Sequence, residues 1–204
     1  MTTMTWVLVG LGNPGEKYDN TRHNTGRMAL EHFAHTYTLG EWKFDKKSNA
    51  LIVRGSVGGS LVACVLPETF MNKSGSAVLR FVKSLKAAEK CVVLYDELDL
   101  PIGGAKISFD RGSGGHKGIE SIARALKTKA FWRLRIGISS STASGKLKKP
   151  QGEEAVLDFI LGKFKAHEIA TLQNVCTRTS RALETMLTEG PQKAMNQFNS
   201  SQQV

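Results

Sequence analysis

Short apolar runs alternate along this chain with longer segments of helical periodicity. The runs typical of strands are residues 6–11, 50–53, 61–66, 91–95, 106–109 and 134–138. Between them, apolar residues recur at the spacing of a half-buried helix, as Ile119, Ile122, Ala123 and Leu126 do. Strands and helices in this order predict an α/β fold. We expect a single-domain three-layer sandwich with a mixed, mostly parallel sheet flanked by helices.

Four helices and one hairpin follow from the same pattern. Apolar stripes predict helices over residues 30–37, 78–85, 119–126 and 169–187. Gly190 and Pro191 end the last of them. The segment from Leu51 to Leu66 is typical of a hairpin that turns at adjacent glycines, 58 and 59, which makes the sheet mixed.

The length of 204 residues is sufficient for one substantial core and does not require a second domain. We therefore expect one domain over residues 1–190. A polar C-terminal tail over 191–204 is predicted to fray. The segment 139–152 is rich in Ser, Gly and Lys, which is typical of a long surface loop.

Composition and charge narrow the class of protein. No apolar run approaches the ~20 residues that span a bilayer, and the first residues lack the pattern of a secretory signal, so we expect no membrane and a cytoplasmic location. The cysteines are odd in number and far apart, which favours buried thiols in a reducing compartment: Cys64, Cys91 and Cys176. The net charge of +10 favours association with a polyanion but does not identify one.

Polar side chains follow several of the predicted strands and precede the helices. Asn13, Asn72 and Asp96 come after strands, whereas His23 and His116 come before helices. Strand ends in an α/β sheet converge on one rim, where ligands bind. A histidine there can act as a general base when a carboxylate fixes its tautomer. His23 with Asp96 is therefore the candidate catalytic pair; a capping histidine and a turn-forming aspartate are the alternatives.

Three motifs leave alternatives open. The glycines at 10, 12 and 15 match a dinucleotide-binding fingerprint, but Pro14 removes a backbone N–H that would face a pyrophosphate. A tight turn that aims Asn13 into the site is favoured. Asn72 is placed either to donate to a carbonyl oxygen or to cap a helix. The glycine-rich run 112–118 either presents a helix N-terminus to an anionic or carbonyl-bearing ligand or is a flexible linker.

A metal ion is another candidate occupant of this rim. Asp96, Glu97 and Asp99 could hold a divalent cation together with His23. However, consecutive residues of extended backbone point to opposite sides, so these carboxylates converge poorly. His23 and His116 have no third histidine and no cysteine at ligand spacing, which leaves zinc unsupported. We expect no metal.

Together these stretches closely resemble the bacterial-type peptidyl-tRNA hydrolases. The motifs that carry the resemblance are GLGNPG at 10–15 with Tyr18, TRHN at 21–24, TFMNxSG at 69–75, DELDLP at 96–101, GGHxG at 114–118, RLRIGI at 133–138 and FILGKF at 159–164. The resemblance runs from about residue 6 to about residue 196. The order and spacing of the motifs make it highly specific.

The resemblance implies an esterase that frees tRNA from prematurely released peptides. In that family His23 would accept the proton of the attacking water and Asp96 would stabilise its competent form. Asn13 would help to distinguish blocked from free aminoacyl ends. The family needs no metal or organic cofactor and is usually monomeric and cytosolic.

The resemblance also implies a set of binding residues. Tyr18, Phe70 and Asn72 would bind the peptidyl group and the 3′-terminal adenosine. Lys106 and Arg135 match basic positions that grip the 5′ phosphate of tRNA. The implied partner is therefore peptidyl-tRNA, held at its acceptor stem and 3′ end.

This chain departs from the family pattern at two positions. Lys117 stands where the family usually has Asn; its ammonium can donate to a phosphate or a developing oxyanion but cannot accept. Ser108 stands where relatives often carry another basic residue, which weakens the phosphate contact. The competing functions are a non-catalytic RNA-binding relative of the same fold and a small-molecule esterase.

Overall fold

The strands of this protein form a mixed sheet. A computed structural model describes residues 5–142 and 145–200. The strands are β1 (Trp6–Gly10), β2 (Lys43–Asp45), β3 (Ala50–Val57), β4 (Ser60–Pro67), β5 (Cys91–Pro101), β6 (Ala105–Phe109), β7 (Trp132–Ser141) and β8 (Leu147–Lys148). Their order is β2-β3-β4-β1-β5-β7-β6, with β8 paired to β7. The strands β4, β1, β5 and β7 are parallel, whereas antiparallel pairs flank them, so the predicted sheet is confirmed.

Helices cover both faces of the sheet. The α-helices are α1 (Thr25–Thr36), α2 (Ser74–Val78), α3 (Leu85–Ala88), α4 (Lys117–Leu126), α5 (Glu153–Leu161), α6 (Ala166–Thr188) and α7 (Pro191–Ser200). Short 3-10 helices are Glu16–Tyr18, Arg22–Asn24 and Met71–Lys73. One core cluster joins the sheet to α1, α6 and α7, and a second joins it to α2 and α4. The predicted three-layer arrangement is confirmed.

Successive residues of the central strands face the two helical layers in turn. On β1, Leu8 packs in the cluster with α1 and α6, whereas Val7 and Val9 pack in the cluster with α2 and α4. On β5, Val92 packs in the cluster with α1 and α6, and Val93 packs in the cluster with α2 and α4. A strand covered on both faces has a continuous apolar sequence. For this reason these strands could be recognised without an alternating pattern.

The strands β3 and β4 form the predicted hairpin. Val57 pairs with Ser60, which leaves Gly58 and Gly59 as a two-residue turn. Their φ angles are 55° and 83°. A tight hairpin turn of this kind requires positive φ at both positions, which glycine adopts without steric cost.

The second predicted helix is divided in two. The apolar spacing over 78–85 predicts one helix, but α2 ends at Val78 and α3 begins at Leu85. Ser84 starts the new helix, because its Oγ accepts a hydrogen bond from the backbone N–H of Ala87 at 3.1 Å. Val78 and Val82 are both buried. The apolar pattern therefore reports burial here and not a continuous helix.

The C-terminal tail predicted to fray from residue 191 is instead the helix α7 as far as residue 200. Ala194 and Phe198 are buried in the cluster that contains α6. Asn199 accepts from the N–H of Ile107 and donates to its carbonyl, both at 2.9 Å, and so covers the free edge of β6. The prediction was wrong because two apolar residues four positions apart give a polar segment a face to bury. Residues 201–204 lie outside the described part of the chain.

The segment 139–152 is only partly a loop. The strand β7 continues to Ser141 and pairs with β8, with Ser140 opposite Lys148. Beyond β8, the Nζ of Lys149 lies 2.7 Å from the Oδ1 of Asp99 on β5. Residues 143–144 of this segment lie outside the described residues. The following helix α5 was not predicted.

The helices and the cysteines of the structure test two of the predictions made from composition. Within residues 5–142 and 145–200, none of the helices combines the length and apolar character needed to cross a membrane. Cys64, Cys91 and Cys176 are free and buried, as predicted. Burial raises the pKa of each thiol to about 12, so all three are protonated at neutral pH.

Candidate active site

The predicted rim lies at the carboxyl ends of the parallel strands. Asp96 lies just beyond Leu94, the last residue of β5 that pairs with β1. His23 lies in the turn Arg22–Asn24 that leads into α1. In the first turn of α1, a Cβ atom at Gly26 would be 2.1 Å from the carbonyl oxygen of Leu94. The glycine therefore allows α1 to approach β5 closely, which brings His23 to Asp96.

His23 and Asp96 form a buried hydrogen-bonded pair. The Nδ1 of His23 lies 3.0 Å from the Oδ2 of Asp96 and 3.1 Å from its Oδ1. Because a carboxylate only accepts, Nδ1 carries the hydrogen and Nε2 has the lone pair. Burial lowers the pKa of His23, but the charge and hydrogen bond of Asp96 outweigh burial and leave this pKa above that of an ordinary imidazole. The pair thus has the tautomer of a general base at Nε2.

A second histidine, His116, binds the same carboxylate. Its Nε2 lies 2.9 Å from the Oδ1 of Asp96. Its Nδ1 accepts from the backbone N–H groups of Gly118 at 3.2 Å and Ile119 at 3.4 Å, in the first turn of α4. Because Nδ1 accepts, Nε2 carries the hydrogen and donates to Asp96. Burial raises the pKa of Asp96, but the two histidines outweigh it and hold this pKa well below its usual range.

Asn13 is fixed in the turn after β1. Its side-chain Oδ1 accepts from the backbone N–H of Met71 at 2.9 Å. This contact orients the amide, so its NH2 group is what Asn13 offers to a ligand. The side chain of Asn24 holds the backbone of Asn13. The Oδ1 of Asn24 accepts from the N–H of Asn13 at 2.9 Å, and the Nδ2 of Asn24 donates to the carbonyl of Asn13 at 3.0 Å.

The turn after β1 differs from a dinucleotide-binding turn. The chain runs through the short helix Glu16–Tyr18 before α1 begins at Thr25, whereas a dinucleotide-binding turn opens directly into a helix.

Arg22 anchors the turn that carries His23. Its Nη2 lies 2.7 Å from the Oε2 of Glu168, and both side chains are 7% exposed. Its Nη1 donates to the carbonyl of Ile138 at 3.3 Å. The guanidinium also lies 4.7 Å from the ring centre of Phe159 and 4.8 Å from that of Phe164. The turn is therefore tied to α6, β7 and α5 at once.

The His23–Asp96 pair lines a cleft of about 990 Å³. Helix α5, which has no buried residue, contributes four apolar side chains to this cleft: Val156, Leu157, Ile160 and Leu161. The predicted residues Asn13, Tyr18, Phe70, Asn72 and Lys117 line it too. The N-cap position of α2 is occupied by Lys73, so Asn72 does not cap this helix. The structure thus brings seven of the predicted residues, counting His23 and Asp96, to one cleft.

Two predicted tRNA contacts are not among the residues that line this cleft. Lys106 on β6 and Arg135 on β7 are cross-strand neighbours. Lys106 is exposed, whereas Arg135 is 6% exposed. The Nε of Arg135 lies 2.8 Å from the Oε2 of Glu97, a cleft residue. Lys106 therefore offers a charge at the surface beside the cleft, whereas the charge of Arg135 is already paired.

His23, Asp96 and His116 are near enough together to be considered as a metal site. One candidate ligand atom from each residue lies within 4.8 Å of the others. The hydrogen bonds argue against this use, because both ring nitrogens that face Asp96 carry hydrogen and present no lone pair to a cation. The arrangement fits a carboxylate that accepts from two imidazoles.

Known proteins resemble this chain over nearly its whole length. A family model described as peptidyl-tRNA hydrolase matches residues 7–204. The chain belongs to the peptidyl-tRNA hydrolase family. A peptidyl-tRNA hydrolase of Herpetosiphon aurantiacus is 43% identical over 197 residues, covering 95% of this chain and 90% of the relative. One of Alkaliphilus oremlandii is 40% identical over 194 residues, covering 95% and 98%.

Solved structures of the peptidyl-tRNA hydrolase family share the fold. The crystal structure of the peptidyl-tRNA hydrolase of Acinetobacter baumannii is similar to this chain with a TM-score of 0.84 at 33% identity. The likeness covers 98% of this chain and 97% of that one. The resemblance drawn from the sequence motifs is confirmed.

Two residues of the site were not predicted as parts of it: Arg22 and Asn24. Both flank His23 in the TRHN motif, so adjacency to the predicted site was their signal. His116 was predicted to lie on the rim but was not assigned a role. The glycine run was predicted either to present the N-terminus of α4 to a ligand or to be a flexible linker. Instead, His116 occupies two of the N–H groups of that helix.

Proposed function

We propose that this protein hydrolyses the ester bond between tRNA and a peptide or N-blocked aminoacyl group. The observation that carries this proposal is the His23–Asp96 pair, at 3.0 Å, on a cleft that also contains an oriented amide and an apolar helix face. Family membership supports it. Hydrolysis consumes one water and releases free tRNA and a peptide carboxylate.

In the proposed mechanism His23 activates the water. With Nδ1 donating to Asp96, Nε2 accepts a proton from the water as its oxygen attacks the ester carbonyl. The charge of Asp96 stabilises the imidazolium that forms. The imidazolium then returns the proton to the 3′ oxygen of the ribose as the ester bond breaks. An ester has a better leaving group than an amide, so a base and hydrogen-bond donors are sufficient.

Asn13 is the proposed source of selectivity for blocked ends. Because its Oδ1 accepts from Met71, its NH2 group can donate to the amide carbonyl of an N-acylated residue. A free aminoacyl end carries an ammonium group, which donates and cannot accept this hydrogen bond. A peptidyl or N-acetyl group is therefore preferred.

The other cleft residues bind the groups on the two sides of the ester bond, the terminal adenosine of tRNA and the peptide. Tyr18 and Phe70 offer rings on which the terminal adenine can stack, and Asn72 offers a further amide. The apolar side chains of α5 suit the side chains of the peptide. Lys117, at the start of α4, donates to a phosphate near the 3′ end or to the developing oxyanion.

The body of tRNA is proposed to contact the basic surface beside the cleft. Lys106 is exposed there, and Arg135, whose guanidinium is paired with Glu97, lies opposite it on the neighbouring strand. The net charge of +10 suits a ligand whose phosphates supply much of the affinity. Recognition would depend on the shape of the acceptor stem and on the single-stranded 3′ end.

We further propose that the protein acts as a monomer in the cytoplasm. Its substrate arises there during translation, and its cysteines are free thiols. Both helical layers pack on one sheet, which supports a single catalytic domain that includes α7 as well as residues before 190.

Deacylation of N-acetyl-aminoacyl-tRNA tests the proposal. The expected result is multiple turnover at micromolar enzyme or below, with slower cleavage of the unblocked aminoacyl-tRNA. Absence of turnover with tRNA binding retained would support the non-catalytic RNA-binding alternative. Cleavage of simple esters at a rate independent of salt and of tRNA would support the small-molecule esterase.

A further inference from the structure

The carboxylate of Asp96 accepts hydrogen bonds from the imidazoles of His23 and His116, and the proposed mechanism gives a proton-transfer step only to His23. Its Oδ1 lies 3.1 Å from the Nδ1 of His23 and 2.9 Å from the Nε2 of His116. We propose that His116 is a positioning residue: its Nε2–H fixes the rotation of the Asp96 carboxylate and limits how strongly that carboxylate holds the Nδ1 proton of His23. The inference rests on the proposed role of His23 as the base.

The loop that carries His116 holds the ring in one place. Gly114 and Gly115 have φ angles of 60° and 83°, which turn the backbone toward the start of α4. The fully buried guanidinium of Arg133 donates from Nη1 to the carbonyl of Gly112, at the beginning of this loop, at 2.7 Å. The ring of Tyr95 lies edge-on to that of His116 at 4.8 Å between centres. The position of the imidazole is therefore set by packing as well as by Asp96.

The start of α4 fixes the tautomer of His116. Its Nδ1 accepts from the N–H groups of Gly118 and Ile119, so hydrogen on Nδ1 would face two donors. His116 is thus a neutral donor through Nε2, aimed at Oδ1. A neutral donor orders the carboxylate without cancelling its charge.

The hydrogen bond from His116 has a definite effect on His23. A carboxylate that gives part of its lone-pair density to His116 attracts the Nδ1 hydrogen of His23 less strongly. Without this donor, more of the negative charge of Asp96 acts on His23 alone, which favours the imidazolium and so lowers the fraction of free base at a given pH. Other charged or titratable side chains lie on the elements around the pair and are present in the wild type and in every variant at 116: Arg22, Lys73, Tyr95, Glu97, Asp99, Lys117, Lys149, Glu153 and Glu168.

Two substitutions separate the donor from the helix cap. H116N keeps an acceptor suited to the cap position, but its shorter side chain loses the donor to Asp96. H116Q loses the cap acceptor, and its longer amide keeps a donor near the position of Nε2. The measurements are the acidic limb of the pH profile of kcat/KM on N-acetyl-aminoacyl-tRNA and the NMR titration of the His23 ring.

The proposal predicts that H116N moves both midpoints upward by about 0.5–1 pH unit. H116Q is expected to leave the midpoints near the wild-type values even if it lowers thermal stability. A purely structural role as cap differs in its prediction for H116N, whose midpoints would then stay at the wild-type values, as those of H116Q do. That pattern would overturn the proposal.

A measurement on the wild-type protein keeps the test decisive if H116N fails to fold. The 15N spectrum of the histidine rings is expected to show His116 with hydrogen on Nε2 and none on Nδ1 over the range in which His23 titrates. The opposite tautomer would overturn the inference. An enzyme without any turnover would contradict the proposed function, whereas the His23 titration in H116N would still decide the role of His116.

Discussion

Two ion pairs of the same length lie in different surroundings. Arg22 and Glu168 are 2.7 Å apart with side chains 7% exposed, whereas Lys149 and Asp99 are 2.7 Å apart with side chains 46% and 61% exposed. Water and salt compete with the exposed pair but not with the buried one. The buried pair therefore fixes the geometry of the turn that carries His23, whereas the exposed pair at the cleft constrains its own side chains only weakly.

The largest effect is expected from removing the buried base. His23→Ala should lower kcat on N-acetyl-aminoacyl-tRNA by about 10²- to 10⁴-fold, while tRNA binding persists. Single-turnover deacylation and filter binding measure the two separately. His35→Ala changes an exposed histidine on α1 and serves as the control. Near-normal deacylation by His23→Ala would refute the assigned role.

The buried ion pair should matter to stability far more than the exposed one. Arg22→Met leaves the Glu168 carboxylate without its partner and should reduce the free energy of unfolding by about 3–5 kcal/mol. Lys149→Met, which removes the exposed pair of equal length, should change it by less than about 1 kcal/mol. Urea denaturation compares the two. Equal effects would show that burial does not distinguish these pairs.

Asp96→Asn should show how much the negative charge at position 96 contributes, because the amide is similar in shape to the carboxylate but is neutral. The amide lacks the negative charge that raises the pKa of His23, so this pKa should fall. Because the neutral imidazole is the active form, the acidic limb of kcat/KM should move to lower pH. The maximal rate should fall by about tenfold, equivalent to about 1.4 kcal/mol, because the imidazolium loses its stabilisation. An unfolded variant would indicate a structural role, and an unmoved limb would contradict the electrostatic one.

The smallest effect is expected from single exposed lysines. Lys106→Gln should reduce the salt dependence of kcat/KM, measured as the slope of its logarithm against log salt, by about one. Lys117→Asn, which restores the usual residue of the family, should retain turnover and reduce the slope similarly. Lys43→Gln on β2, at the opposite edge of the sheet, is the matched control. An equal reduction with Lys43→Gln would contradict a localised tRNA surface.

The sequence predicted those parts of the fold that depend on local pattern. The central strands are buried on both faces, so their apolar runs stand out, and Gly58 and Gly59 specify a turn by their conformational freedom. His23 and Asp96 could be paired because strand ends converge on one rim. The order and spacing of the motifs then indicated the peptidyl-tRNA hydrolase family.

The remaining features depend on contacts between distant segments. The burial of α7 requires the edge of β6, which Asn199 covers. The pairing of Arg135 with Glu97 depends on the register of β5 and β7. The donation from His116 to Asp96 depends on the cap of α4. The side-chain hydrogen bonds and the ion pair among these contacts leave no periodic signal in the sequence.

The central claim is that Asp96 holds His23 as the base that activates water. Its most direct test compares two pH titrations of the wild-type protein, the acidic limb of kcat/KM and the NMR shift of the His23 ring. The two midpoints should coincide and lie above the ordinary imidazole value, because the charge of Asp96 raises the pKa of His23. A rate that stays constant while His23 titrates would contradict the account.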